Sequence, residues 1–405
     1  MSAATARHQM TVPWAEPTAV PTTTGTTDTG NVRGRAPATQ RFMERQTTGV
    51  GALVAIEAGP GFVDALRRAW DAGDAVLPLD PRLPPPARKA LLEAMDPGGR
   101  PAEPGDALVM ATSGTTGVPK GVVLTHDAVA ASAHATSERL GVDPARHRWL
   151  ACLPLGHVGG LAVVTRALLT GTPVDVHPGF DADAVSAAAG PDVFVALVAT
   201  ALARVDPARF HTVLLGGAPP PEDRAGNVVT TYGMTETGSG VVYDGVPLPG
   251  VDVAVGAADE IRLRGPMLLR AYRDGTVPLD EGGWYATGDA GALDADGRLR
   301  VHGRLSDLII SGGENVWPAA VEAVLRRHPA VAEVHVAGKT DPEWGERVVA
   351  WVVPRTDGLA PTLDGLRGLV KEQLAPSAAP RELVLVDSLP RTSLGKVKRR
   401  GGRPR

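Results

Sequence analysis

A single cysteine, Cys152, stands in 405 residues, so the chain can close no internal disulfide and build no cysteine-based metal site. A reducing compartment suits such a protein. Neither sign of charge prevails: 41 Lys and Arg against 45 Asp and Glu leave a net charge of −4. The whole-protein field therefore offers nothing to nucleic acid or to an anionic membrane. No apolar run reaches the roughly 18 residues of a membrane span, and the first charges are not followed by the apolar core of a secretory signal. These absences predict a cytoplasmic protein with no nucleic-acid partner and no membrane span. No internal repeat is visible either.

What the chain does contain is ordinary for a globular protein: 43% hydrophobic and 21% charged residues, with 48 Gly and 36 Pro. Its length allows two or three domains, and its glycine and proline content fits a loop-rich α/β fold. Residues 1–48 are rich in Thr, Ala, Pro and Gly without helical or alternating periodicity, and read as a disordered leader. From Gly51 the pattern changes. Ala52–Ile56 has the look of a buried strand, and Phe62–Ala72 carries apolar residues at helical spacing. Short strands and helical stretches then alternate, with strands at Leu108–Met110, Val122–Leu124, Val193–Val198 and Val213–Leu215, as in a layered α/β domain. Near Arg304 a second unit begins, with Pro318 opening a helix, a Val321, Val324, Leu325 stripe, and strands at Val331–Val336 and Val348–Val353. The expectation is a large layered α/β domain over 49–303 and a small α+β domain over 304–405. The basic run Lys396–Arg405 is, by itself, a solvated tail.

The most informative segment is Thr112-Ser113-Gly114-Thr115-Thr116-Gly117-Val118-Pro119-Lys120-Gly121. Gly114, Gly117 and Gly121 let backbone approach an anion, four hydroxyls donate hydrogen bonds, and Lys120 adds a point charge. It reads as a phosphate cradle. It is not a Walker loop, because Lys120 follows Pro119 and leads into a strand-like Val122-Val123-Leu124 run, not a helix. Taken alone, the decapeptide leaves a polar surface turn open as the lesser alternative.

Further segments fall into order with it: Leu214-Leu215-Gly216-Gly217-Ala218-Pro219, Thr231-Tyr232-Gly233-Met234-Thr235-Glu236-Thr237, Gly283-Trp284-Tyr285-Ala286-Thr287-Gly288-Asp289, Gly303-Arg304-Leu305-Ser306-Asp307, Gly312-Gly313-Glu314-Asn315-Val316 and Gly395-Lys396. Each is weak alone. Together, over residues 50–400, they resemble the adenylate-forming superfamily of acyl-CoA synthetases and adenylation domains. The stretch Arg304–Asn315, with Val241–Leu248, is most similar to o-succinylbenzoate-CoA ligases of menaquinone biosynthesis in their actinobacterial form.

The resemblance implies an enzyme that uses ATP, Mg²⁺ and coenzyme A to turn a small carboxylic acid first into an acyl-AMP and then into a thioester. It implies ATP or AMP contacts at Thr112, Ser113, Gly114, Thr115, Thr116, Gly117, Lys120, Gly216, Gly217, Ala218, Tyr232, Gly233, Met234, Thr235, Asp289 and Arg304. Asp289 would accept the ribose hydroxyls with Arg304 beside it, and Tyr232 would stack on the adenine opposite the Gly216–Ala218 wall. Glu236 would hold the metal, and Lys396 would be the catalytic lysine, with Thr115, Glu236 and His157 also placed in the catalytic set. His157, Gly159, Gly238 and Ser239 would line a roomy acyl pocket.

In this family the small domain turns between half-reactions about a hinge, here Ser306, and brings Ser311, Gly312, Gly313, Glu314 and Asn315 to the thiol tunnel. Many relatives carry Asp or Lys where this chain has Ser306. The segments before Thr112 and over Pro220–Asn227 are also shorter than in most relatives. The acid stays open among o-succinylbenzoate, another aromatic acid and a medium or long acyl chain, and the thiol between CoA and a carrier protein. A non-catalytic adenylate-binding regulator is the alternative of another class. Monomer and homodimer are equally compatible with the sequence.

Overall fold

The computed structural model describes residues 51–59, 61–113, 119–217, 224–356 and 360–390. The expected leader, Gly114, Thr115, Thr116, Gly117, Ala218 and Lys396 lie outside the described residues, as does the side chain of Ser113.

The first sheet begins with strands β1 (Leu53–Glu57), β2 (Ala75–Leu79) and β3 (Asp106–Ser113), all parallel, followed by β4 (Pro119–Thr125) antiparallel to β3. Helix α1 (Phe62–Ala72) buries Phe62, Leu66, Ala69 and Trp70, a spacing that puts all four on one face. It stops at Gly73, whose left-handed φ of 83° lets its N–H bond back to Ala69 and Trp70. Helix α2 (Pro85–Met95) opens with proline at its first turn and covers the same sheet with Leu91 and Met95.

Helix α3 (His126–Leu140) packs on β3 and β4 of this sheet and against helix α4 (Val158–Thr170), which itself lies on the second sheet. Thr125 caps α3 by accepting the Ala128 N–H at 3.1 Å. The buried face of α3 is mostly small, with Ala128, Ser132, Ala133, Ala135 and Thr136, so the two helices can approach closely.

The second sheet contains β5 (Arg148–Ala151), β6 (Val174–Val176), β7 (Val193–Leu197), β8 (Thr212–Leu215), β9 (Val228–Gly233), β10 (Gly240–Tyr243) and β11 (Val246–Pro247) in the order β11-β10-β9-β8-β7-β5-β6. Its β6-β5-β7-β8-β9 part is parallel. Strands buried on both faces read as continuous apolar runs, which is why Val193–Leu197 and Thr212–Leu215 were legible. A third, antiparallel sheet follows, with β12 (Asp252–Val255), β13 (Glu260–Arg264), β15 (Tyr285–Leu293) and β16 (Leu299–Arg304). Between them, β14 (Ala271–Tyr272) returns to pair with β4 of the first sheet. One continuous core joins side chains of all three sheets with α1, α3 and α4.

After Arg304 come β17 (Ile309–Ser311), β18 (Glu314–Val316), helix α7 (Pro318–Leu325), β19 (Val331–Asp341), β20 (Gly345–Pro354), helix α8 (Leu363–Lys371) and β21 (Glu382–Leu385), with α5 (Ala182–Ala187) and α6 (Ala199–Leu202) being short helices of the second sheet region. These residues hold a separate core around Val321, Leu325, Val334, Val336, Val352 and Leu366. The architecture is a large layered α/β portion followed by a small α+β portion, as the sequence pattern implied.

Candidate active site

The C-terminal ends of the parallel strands open into a cleft of about 1700 Å³, the place where open α/β sheets bind ligands. The hairpin of β3 and β4 delivers the phosphate segment to it, pairing Thr112 with Lys120 and Ser113 with Pro119. Thr112 Oγ1 donates to the Lys120 carbonyl at 3.4 Å, and both residues line the cleft. Gly121 has a role the sequence did not disclose. A Cβ there would sit 2.5 Å from Met95 Sδ and 2.8 Å from Arg273 Cβ, so glycine is required for packing.

Gly216 and Gly217 follow β8, Gly233 ends β9, and Met234, Thr235 and Glu236 follow it, all on the cleft wall. Glu236 sits on the 3-10 turn Thr235–Thr237, where Tyr272 Oη donates to its Oε1 at 3.2 Å and the Leu269 N–H to its carbonyl at 2.8 Å. The Lys120 ammonium lies 5.0 Å from the centre of the Tyr272 ring. Among the described residues no group of three or more His, Cys, Asp or Glu could hold a metal ion. One carboxylate on the wall suits Mg²⁺, a hard cation that keeps waters and takes its other oxygens from nucleotide phosphates.

Asp289 is 6% exposed. Its Oδ1 is 2.8 Å from Arg304 Nε and its Oδ2 accepts from Tyr232 Oη at 2.9 Å. Burial pushes the Asp289 carboxyl up, and the neighbouring Arg304 guanidinium pulls it back. Burial likewise raises the Tyr232 phenol, which stays a neutral donor. Arg304 also donates to the Thr287 carbonyl at 3.0 Å. Neither Tyr232 nor Asp289 is itself on the cleft wall, while their neighbours Gly233 and Gly288 and the partner Arg304 are. The anchoring of Asp289 by Tyr232 was missed from sequence, since nothing in the spacing pairs two residues on different strands.

At the other end of the cleft His157 and Gly159 stand at the start of α4, and Ser239 beside them. His157 Nε2 is 3.5 Å from Asp80 Oδ2, an ion-pair separation outside hydrogen-bond geometry. Asp80 follows β2, and Arg82 clamps it through its backbone N–H and Nε, both at 2.9 Å, and through Nη2 at 2.6 Å. These bonds hold the Asp80 carboxyl below its usual range. Both Asp80 and Arg82 line the cleft and neither was singled out in the sequence.

The expected acyl-pocket set needs correction. Gly238 does not line the cleft; its φ of 67° closes the turn after Thr237. Ser239 does not merely leave room, for its buried hydroxyl accepts from Arg166 Nη2 at 3.4 Å and from Ser132 Oγ at 3.3 Å. Arg166 is the notable side chain here. It is 3% exposed, packs over the Trp149 ring at 4.7 Å, leaves Nε without a hydrogen-bond partner and forms no salt bridge among the described residues. Burial depresses its pKa, yet a guanidinium stays charged in proteins. The sequence signal was one charge inside the apolar run Val158–Leu169.

Leu305, Ser306 and Asp307 form a 3-10 turn at the cleft edge. Ser311–Asn315, in contrast, form the β17–β18 hairpin and do not line the cleft in this structure. Gly312 and Gly313 have φ of 63° and 82°, so this tight turn requires two glycines.

Comparison with known proteins decides the family. Residues 96–272 match the family described as "AMP-binding enzyme" and residues 320–396 match "AMP-binding enzyme C-terminal domain". A Mycobacterium tuberculosis protein named "Probable 2-succinylbenzoate--CoA ligase" is 43% identical over 319 residues, covering 72% of this chain and 82% of that protein. The chain belongs to the AMP-binding enzyme family. A Geobacillus kaustophilus "2-succinylbenzoate--CoA ligase" is 37% identical, covering 73% of this chain and 68% of the other. Among solved structures, the Bacillus subtilis o-succinylbenzoate CoA synthetase in complex with its acyl-adenylate superposes with a TM-score of 0.78 at 28% identity, over 90% of this chain and 91% of that one. An amide bond synthetase from Marinactinospora thermotolerans has a TM-score of 0.75 at 27% identity, over 89% and 91%. The fold is thus that of the adenylate-forming enzymes, large N-terminal domain and C-terminal domain included. No helix among the described residues is long and apolar enough to cross a membrane.

Proposed function

We propose that this chain is an AMP-forming acid-CoA ligase acting on o-succinylbenzoate in the cytoplasm, as a step toward menaquinone. The observation that carries the choice of acid is Arg166. A buried guanidinium without a carboxylate partner among the described residues is costly, and it lines the same cleft as Thr112, Lys120, Gly216 and Glu236, which this reading assigns to the nucleotide. A substrate with two carboxylates resolves that cost: one is activated and the other pairs with Arg166.

The chemistry follows from placement. Thr112 and Lys120 receive the polyphosphate, Gly216 and Gly217 give the adenine a wall without side chains, and Asp289 with Arg304 takes the ribose. When bound, Mg²⁺ on Glu236 would neutralise phosphate charge. The substrate carboxylate then attacks the α-phosphorus, displacing pyrophosphate, and a CoA thiol later attacks the acyl carbonyl, displacing AMP. Positioning and charge stabilisation are the protein's contribution. Lys396 is assigned to the first step on the family resemblance.

We also propose the division at 303/304, with Ser306 as hinge. Two separate cores and the position of the Ser311–Asn315 hairpin away from the cleft support a small domain that turns between the half-reactions.

Pyrophosphate release across a panel of carboxylic acids, with and without CoA, tests the assignment. Release stimulated by o-succinylbenzoate and completed to a thioester with CoA is the expected result. Turnover of monocarboxylic acids alone would replace the substrate, and no release with any acid would leave an adenylate-binding protein.

A further inference from the structure

Tyr272 belongs to no segment used above to assign the nucleotide site, yet it touches two of the groups that would meet the phosphates. Its hydroxyl donates to Glu236 Oε1 at 3.2 Å and its ring carries the Lys120 ammonium at 5.0 Å from the centroid. The short strand that bears it is fixed on both sides. Before it, Arg270 holds buried Asp106 with two hydrogen bonds of 2.9 and 3.0 Å and reaches Glu103 at 2.8 Å. After it, buried Arg273 donates to the Met95 and Pro101 carbonyls at 3.0 and 2.9 Å, with further bonds to Asp96 and Arg100 carbonyls.

The same segment joins the two structures that carry the phosphate-site groups. Tyr272 pairs with Val122 and the Arg273 N–H bonds to the Gly121 carbonyl at 2.6 Å, which ties it to the strand leaving the phosphate segment. Three residues earlier, the Leu269 N–H bonds to the Glu236 carbonyl. Such anchoring leaves the phenol little freedom, so its two contacts set one distance between a carboxylate and an ammonium. Tyr285 Oη, 3.4 Å from Tyr272 Oη, supports the hydroxyl from behind.

We propose that Tyr272 is a positioning residue that aligns the two ends of the nucleotide-phosphate site, its hydroxyl holding the Glu236 carboxylate and its ring face seating Lys120. It rests on the ATP-dependent function proposed above. The Glu236 contact matters where a divalent cation must be met by a carboxylate already in place, and the Lys120 contact matters for the phosphates whether or not a cation is present.

Calorimetry of ATP binding in EDTA and in Mg²⁺, with a Mg²⁺ titration of acid-dependent pyrophosphate exchange, separates the two contacts. Tyr272→Phe keeps the ring and removes the hydroxyl. It is expected to raise the Mg²⁺ concentration at half-saturation about 3- to 10-fold, the effect of one net hydrogen bond, while ATP affinity in EDTA stays within about twofold. Tyr272→Leu is expected to weaken ATP in EDTA as well, by about 2- to 5-fold, as loss of an exposed cation–π contact should. In a Glu236→Gln background Tyr272→Phe should add no further Mg²⁺ effect, because the pair acts as one unit. An unchanged Mg²⁺ requirement in Tyr272→Phe, or an equal loss with and without Mg²⁺, overturns the proposal. Failure of the native protein to bind ATP under either condition overturns instead the ligase function on which it rests.

Discussion

Asp289 shows how a single carboxylate can be prepared for a ligand. Tyr232 and Arg304 each occupy one of its oxygens, and each oxygen keeps a second lone pair, which under the proposed function would accept a ribose hydroxyl. Asp289→Ala is therefore expected to weaken ATP binding by about 1.5–3 kcal/mol, the range for hydrogen bonds to a charged group, with acid affinity nearly unchanged. Calorimetry with each ligand checks it, and an unaltered ATP dissociation constant would remove Asp289 from the site. The motif around Asp289 was legible in sequence, as was the Arg304 that pairs with it. Asp80, Arg82 and Tyr272 were not: Tyr272 meets Glu236 and Lys120, and Asp80 meets His157, across long sequence separations, while the Arg82 clamp on Asp80 is a local turn that carries no periodicity. Arg166 was visible as a charge in an apolar helix, but only the fold shows it buried beside Ser239.

His126 gives a residue-scale prediction about stability. It begins α3, packs edge-on to Trp70 with ring centroids 5.1 Å apart, and burial lowers its pKa to about 4. The unfolded chain takes up that proton near the ordinary value of 6.5. Between the two values the unfolded state binds more protons, so stability is full above pH 6.5 and is lost as pH falls toward 4. The loss from this group is at most roughly 3 kcal/mol. Urea unfolding at pH 7.5 and 4.5 should show a smaller pH effect in His126→Asn than in the native protein. An equal effect would mean that other groups carry the acid sensitivity.

At the scale of elements, the turn Leu305–Asp307 is the joint between the last strand of the third sheet and the second core. On the far side, Trp317 packs against His302 with ring centroids 5.8 Å apart, so the two portions touch close to the joint. Ser306→Pro would fix φ near −65° and restrict residue 305, trapping one orientation of the small domain. One half-reaction is expected to fail far more than the other. Acyl-AMP formation and thiol transfer from presynthesised acyl-AMP, measured separately, check this, and equal retention of both would move the hinge elsewhere. Element order was largely legible because the strands are short apolar runs and α1 has a clean one-face stripe. The return of Ala271–Tyr272 to the first sheet was not, since a two-residue strand carries no periodicity.

At the scale of the whole molecule, one cleft is lined by residues of β3, β4, β8, β9 and the third sheet, where the proposed function puts the nucleotide, and by residues of α4, Asp80 after β2 and Ser239, where it puts the acid. The most direct test of the proposed function compares kcat/KM for CoA-thioester formation from o-succinylbenzoate and from 4-oxo-4-phenylbutanoate, the same skeleton without the ring carboxylate. With Arg166 as the partner of that carboxylate, the native enzyme should prefer o-succinylbenzoate by about 10²–10³, the scale of a buried charge pair losing one member, and Arg166→Met should bring the ratio close to one. A native ratio near one, or a preference that survives Arg166→Met intact, would contradict the assignment.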